Sequence, residues 1–212
     1  GITLDFTELK SGIRDNLAGR DFAMNALAWS PETGLIDPFN GVKDIAHRIK
    51  AISIDNFRND PLRLLRTYRF VSELGWRAEP ETRKMVRHLR KEIRKSASER
   101  ITLEFFKLLN FKNFHNALKA ASDDGLLECF LSIPNKRLLE NIRTMPSLEL
   151  CIKKLPLRLR ENIEKPFSQE LTLHGLLRLE HVLYGSALNR NRLSLSRVIR
   201  ERLKITHKLL HK

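Results

Sequence analysis

The sequence predicts an α+β chain in which a short mixed region of strands, turns and helix gives way near residue 56 to helix alone. Three observations predict it. Apolar–polar alternation and paired turn signals are confined to the first 52 residues. From Asp60 onward, apolar residues recur at helical spacing. Only 9 Gly and 8 Pro occur in 212 residues, so few breaks interrupt those helices. The units expected are 1–56, then a helical segment 57–110, then a further helical array 111–212.

Ile2-Thr3-Leu4-Asp5-Phe6 alternates like a strand, and a chain that opens this way reads as beginning in mid-sheet. Phe22 to Trp29 reads as a short helix of good formers after Arg20 and Asp21. Pro31 and Gly34 then turn the chain into Gly34-Leu35-Ile36-Asp37, and Asp37-Pro38-Phe39-Asn40-Gly41 is a second tight reversal. Arg48 to Ile52 is the last strand expected. Asp60 is placed as an N-cap with Pro61 at the first helical position and Gly75 as the stop. A densely basic helix follows from Glu79 to Lys95, and Ser96-Ala97-Ser98-Glu99 has the capping-box pattern for a helix through Leu109. Further helices are expected around 113–131, 135–152, 155–165, 170–184 and 194–211.

The net charge of +14 calls for a polyanionic partner, nucleic acid being the commonest; a merely solubilising surface is the alternative. No apolar run approaches the ~18 residues of a membrane span, and no signal-peptide pattern is visible. Cys129 and Cys151, without CxxC spacing, read as two buried thiols of a reducing, cytoplasmic protein. His207 and His211 are four apart but have no companion carboxylate, so they read as a solvated basic helix end; His174 and His181 read as packing residues. The basic stripe containing Arg83, Arg87, Arg90 and Arg94 suits either an RNA backbone or plain solvation, and a second cluster runs through Arg190, Arg192, Arg197, Arg200, Arg202 and Lys204. Few aromatics accompany either cluster, so charge rather than base stacking is the theme.

The helix at Asp60 carries the most specific chemistry. With about 100° per residue, Leu64, Tyr68 and Val71 share one stripe, and Arg63, Arg66 and Arg69 fall opposite. Asp60 lies within about 60° of Arg63, one turn earlier. A carboxylate beside a guanidinium offers an acceptor next to donors, which complements the Watson–Crick edge of cytosine or adenine and meets uracil or guanine like with like. Arg66 and Arg69 would hold a triphosphate. An amphipathic surface helix capped by Asp60 would show the same spacing.

Arg20-Asp21-Phe22-Ala23-Met24-Asn25-Ala26-Leu27-Ala28, Asp37-Pro38-Phe39-Asn40-Gly41, and Asn59-Asp60-Pro61-Leu62-Arg63-Leu64-Leu65-Arg66-Thr67-Tyr68-Arg69-Phe70 resemble, in order, the motifs of class II tRNA nucleotidyltransferases and bacterial poly(A) polymerases. Ser98-Glu99-Arg100-Ile101, with Glu104 and Lys107, resembles the neck motif of the same family. The resemblance covers residues 1 to about 110. It implies the end of a nucleotidyltransferase head followed by an all-helical neck, body and tail. It further implies Arg20 and Asp21 at the incoming nucleotide, with Asp21 on the ribose 2′-hydroxyl, Asp60 and Arg63 as the protein template for the base, and Arg66 and Arg69 on phosphates. The chain departs from the family pattern at Gly19, where a second Arg is usual, and at Asn59, often acidic. The family's Asp-x-Asp strand, which holds two Mg²⁺, does not occur in the sequence, so the metal ligands are expected on a further N-terminal head segment.

The function expected is template-independent addition of CMP or AMP, from CTP or ATP, to RNA 3′ ends, most readily those of tRNA. This chain would select the nucleotide and hold the RNA, and alone would be inactive. The alternative is a non-catalytic RNA-binding relative or one half of a split enzyme. The choice among CC, A, CCA and poly(A) products stays open.

Overall fold

The computed structural model describes residues 12–45, 47–168, 170–187 and 190–209. The strand expected at Ile2–Phe6, and His211, lie outside them. The first part begins with α1 (Gly12–Ala18), followed by a 3-10 turn (Ala23–Asn25) and a hairpin of β1 (Ala28–Ser30) and β2 (Gly34–Ile36). Phe22 to Trp29 is therefore not a helix. Asp21 Oδ1 accepts from Phe22 N at 3.0 Å and Asn25 Nδ2 at 3.1 Å, winding one tight turn. Trp29 then faces Leu35 across the ladder, a pairing that suits an aromatic residue better than a helix interior.

The second reversal forms as its residues predict. Asp37 accepts from the N–H groups of Gly41 (2.6 Å) and Val42 (3.1 Å), and Asn40 takes the left-handed conformation at φ 57°. Gly41 opens α2 (Gly41–Asp44), and a Cβ there would lie 2.1 Å from the Ala23 carbonyl oxygen. The expected last strand shortens to β3 (Arg48–Ile49), with Ala51 bridging Phe22 antiparallel.

Helices dominate from there: α3 (Ile54–Asn59), capped by Ser53 on Asn56 N, and α4 (Leu62–Leu74), ended by Gly75 at φ 72°. Asp60 does cap α4, its Oδ1 accepting from Leu62 N at 3.3 Å. Leu64, Leu65, Tyr68, Val71 and Ser72 are buried, so the stripe read from the sequence is the face that meets the core. Then β4 (Arg77–Ala78) returns to pair parallel with β3.

The basic segment is α5 (Pro80–Leu89) followed by a 3-10 stretch, Arg90–Lys95, rather than one helix. After it come α6 (Ser98–Asn110) and α7 (Phe114–Asp123), both packed against α4. The capping box does not form: Ala97 occupies the N-cap without a side-chain bond, and the Ser96 hydroxyl is buried without a partner among the described residues.

The body continues as α8 (Asn135–Lys153), α9 (Leu157–Ile163), a small hairpin of β5 (Pro166–Ser168) and β6 (Leu171–Thr172), α10 (Leu173–Val182) and α11 (Arg197–Leu209). Pro146 inside α8 cannot donate to the carbonyl of Ile142, one turn earlier. His115 Nε2 reaches that oxygen at 3.0 Å and replaces the lost donor. Cys129 is buried as expected, but Cys151 is exposed.

One apolar cluster runs from Phe22 and Ile49 through Phe57, Tyr68, Phe105 and Leu118 to Leu179 and Leu203, so the mixed region and the helices share a core. Among the described residues no helix is long and apolar enough to cross a membrane.

Candidate nucleotide-binding site

The residues expected at the nucleotide converge where the mixed region meets α4. Asn56 joins the two parts, its amide donating to the carbonyls of Ala18 and Arg20, both at 2.7 Å. Phe22 packs edge-on against Phe57 and Phe70, centroids 6.1 and 5.5 Å away. Across this joint, Asp21, 4 % exposed, places Oδ2 2.9 Å from Arg66 Nη2. The separation is that of an ion pair, although the angle does not make a hydrogen bond. Arg66 Nε is buried and has no acceptor among the described residues. Arg20 is exposed and only loosely held, 3.5 Å from Asn16 Oδ1.

Asp60 and Arg63 stand at the start of α4, each with another partner. Asp60 Oδ2 pairs with Arg100 Nη2 of α6 at 2.9 Å, and Arg63 Nη1 donates to the Asn56 carbonyl at 3.3 Å. Arg69 is more enclosed. It pairs with Glu73, sits 2.8 Å from Glu104 Oε2 of α6, and lies over the Phe70 ring with its guanidinium carbon 3.8 Å from the centroid. Two carboxylates thus occupy the side chain that the sequence assigned to phosphate.

The four arginines expected along RNA are mostly engaged within the protein. Arg83 grips Asp124 with Nε at 2.7 Å and Nη2 at 3.0 Å, Arg87 adds Nη1 at 2.6 Å, and the Tyr68 hydroxyl donates to the same carboxylate. Burial pushes the Asp124 carboxyl up, but hydrogen bonds from Arg83, Tyr68 and Arg87 outweigh it and hold the group below the usual range. Burial, with the Asp124 charge added, raises the Tyr68 phenol well above its ordinary value. Arg90 donates to the Arg87 carbonyl, and Arg94 Nε donates to that of Cys129 at 2.9 Å.

Sequence reasoning singled out neither Asn56 nor Asp124, and it quoted Arg100 only as part of a motif. Asn56 gives no signal in one dimension. Asp124, in Asp123-Asp124-Gly125, looks like an ordinary helix end until α7 is seen to bring it under α5.

His174 is also more than packing. Buried on α10, it places Nδ1 2.8 Å from Glu164 and Nε2 3.0 Å from Glu149, which Arg178 also grips, at 2.9 and 3.2 Å. Burial opposes ionisation of Glu149, but the bonds from His174 and Arg178 bring it down to about 2. This cluster lines a cavity of about 650 Å³ between the α6–α7 turn, α8 and α10, and neither Asp21 nor Arg66 is among its lining residues.

Residues 3–50 match the model described as "Poly A polymerase head domain", and residues 77–137 match "Probable RNA and SrmB-binding site of polymerase A". Together they cover just over half of the chain. A CC-adding tRNA nucleotidyltransferase of Synechocystis sp. is 33 % identical over 177 residues, which is 82 % of this chain and 42 % of that protein. The chain belongs to the tRNA nucleotidyltransferase and poly(A) polymerase family. An A-adding member from Deinococcus radiodurans is 34 % identical over 139 residues, covering 63 % of this chain and 32 % of that one. The family fold is present as well. The Thermotoga maritima CCA-adding enzyme complexed with tRNA superposes with a TM-score of 0.68 at 22 % identity, over 94 % of this chain and 49 % of that structure. The chain thus spans less than half the length of the curated family members it matches.

Proposed function

We propose that this chain is the nucleotide-selecting and RNA-holding portion of an enzyme that adds CMP or AMP to RNA 3′ ends, with tRNA as the substrate. The observation that carries the reading is the joint itself. The Arg-Asp motif of the head and the Asp60–Arg69 helix, separate in sequence, are locked together by Asp21–Arg66 and by Phe22 against Phe70. The relatives' names, which specify CC and A addition to tRNA, support the reaction class.

Each residue then has a bounded role. A carboxylate has about four acceptor positions. Phe22 N and Asn25 use the two on Asp21 Oδ1, while Oδ2 stands beside Arg66 without a hydrogen bond, which leaves it room for a donor such as a ribose hydroxyl. Arg66, a third exposed and with an unbonded Nε, and the loosely held Arg20 have donors to give to a triphosphate. Asp60 and Arg63 would read the base by exchanging their present partners, Arg100 and the Asn56 carbonyl, for its acceptor and donor edge. Arg69, held by Glu73 and Glu104, would stiffen the helix beneath them.

The family resemblance implies Mg²⁺. Among the described residues no three carboxylate, imidazole or thiol groups are placed to hold a metal ion together, and Asp21 offers no open pair of oxygens for a hydrated ion. These residues do not fit a magnesium centre. The test is incorporation of labelled CTP and ATP into tRNA by this chain alone and joined to a head segment carrying an Asp-x-Asp strand. Activity only in the joined protein is expected. Failure of the joined protein, with tRNA binding intact, would favour a binding module.

A further inference from the structure

Beside the joint between the neck and the body, two basic clusters that lie about a hundred residues apart in the sequence meet at one cavity. It measures about 310 Å³ and is lined by Arg94, Arg190 and Arg192 together with Glu128, Cys129 and Ser132. Three guanidinium groups face one carboxylate among these residues. The segment that brings the second cluster there is fastened by its backbone. Ala187 N donates to Ser132 O at 3.0 Å, Arg192 N to Phe130 O at 2.9 Å, and Asn191 accepts from Ser132 N. Arg192 Nη2 then donates to the Arg94 carbonyl at 2.7 Å, and Arg94 Nε to the Cys129 carbonyl at 2.9 Å. Each of those guanidinium groups keeps further donors, while Arg190 has no side-chain partner recorded among the described residues and is exposed. At Cys129 burial raises the thiol, the charges of Arg94, Arg90 and Lys91 work against that rise, and the charge of Glu128 works with it.

We infer that this cavity is a phosphodiester-binding subsite for the RNA backbone, formed by Arg94, Arg190 and Arg192. The site rests on the reading of the chain as RNA-holding and adds a place for one contact. Guanidinium groups pinned by carbonyls on one side lose little freedom on meeting a phosphate, and planar forks suit its paired oxygens. The cavity is polar and has no aromatic platform except Phe130, which is buried, so it would track backbone rather than stack bases. It also explains why the arginines of the basic stripe differ in use: Arg83 and Arg87 serve Asp124, and Arg94 remains beside the second cluster.

The experiment is tRNA binding to the full chain over a range of KCl concentrations, for the parent, Arg190→Gln, Arg192→Gln, and Arg158→Gln on α9 as a control of equal charge. Loss of a phosphate contact lowers the slope of log K against log[salt] by roughly 1. Arg190→Gln is the informative variant, because its side chain bonds to nothing among the described residues. It is expected to weaken binding about 3- to 10-fold at low salt with the slope reduced by about that one contact, and Arg158→Gln to change neither comparably. Equal effects from Arg158→Gln and Arg190→Gln would overturn the subsite and leave only diffuse attraction by the net charge. Inorganic phosphate that competes no better than chloride at matched ionic strength is the expected second result. Saturable phosphate binding that Arg190→Gln abolishes, without any change in tRNA affinity, would assign the cavity to a free anion instead. If the parent chain fails to bind tRNA, it is the RNA-holding reading that falls, whatever the variants do.

Discussion

Asp21 and Arg66 stand 2.9 Å apart across 45 residues of chain and tie the turn that carries the Arg-Asp motif to the helix that begins at Asp60. The carboxylate is buried and the guanidinium a third exposed, so the pair is neither a screened surface contact nor a fully dry one. A double-mutant cycle on Asp21→Asn and Arg66→Gln should return a coupling of about 0.5–3 kcal/mol in urea unfolding. A coupling of zero would mean that the Asn56 bonds and the Phe22–Phe57–Phe70 contacts hold head and neck without help from the ion pair.

The Asp124 cluster predicts a different kind of loss. Removing one partner of a buried ion pair costs roughly 3–5 kcal/mol, but Arg83 and Arg87 are partly exposed and can turn to water, so Asp124→Ala should fall below that range, at about 2–3 kcal/mol. Charge reversal at Arg87 should likewise destabilise the fold, because it sets a carboxylate against Asp124. It is therefore a poor probe of RNA binding, and a wild-type melting temperature in that variant would show that the cluster carries little.

Acid should release the cluster around Glu149. Its carboxyl is held at about 2 against an ordinary 4.5, a lowered value in the folded state. The stabilisation is therefore complete above the unfolded value and lost as pH falls from 4.5 toward 2, on the order of 3 kcal/mol for a shift of this size. Glu149→Gln should flatten the stability profile between pH 5 and 2, measured by denaturant titration at each pH. A profile unchanged by the substitution would remove Glu149 as the group responsible.

Much of this was legible in one dimension, for definite reasons. The helix at Asp60 shows its cap, its stripe and its Gly75 stop because each is a local preference, and all three form. The Phe22–Trp29 segment was misread because good helix formers lost to tertiary pairing: Phe22 bridges Ala51, and Trp29 enters a hairpin. The Ser96 box failed because that side chain is drawn into the interior. At the site, which arginines stay available for ligand was not legible. Spacing puts Arg63, Arg66 and Arg69 on one face, but only the fold brings Glu104 to Arg69, Asp21 to Arg66 and Arg100 to Asp60.

The turn beneath Asp21 gives a test of the fold. A methyl at Gly41 would meet the Ala23 carbonyl oxygen at 2.1 Å, and backbone cannot swing aside as a side chain can. Gly41→Ala should lower stability by more than about 2 kcal/mol and weaken CTP binding through the displaced Asp21 turn. Unchanged melting would show that the two turns are not packed this closely.

Base choice at Asp60 is the central claim, and calorimetric titration of CTP, ATP, UTP and GTP into the parent chain and Asp60→Ala tests it most directly. A wrong base leaves a buried polar group unpaired, so the parent should favour CTP or ATP by about 1–3 kcal/mol, roughly 5- to 150-fold. Asp60→Ala should bring the four affinities together while the protein stays folded, less about 1 kcal/mol for the cap it gives Leu62. Equal affinities for all four nucleotides in the parent chain would contradict the account.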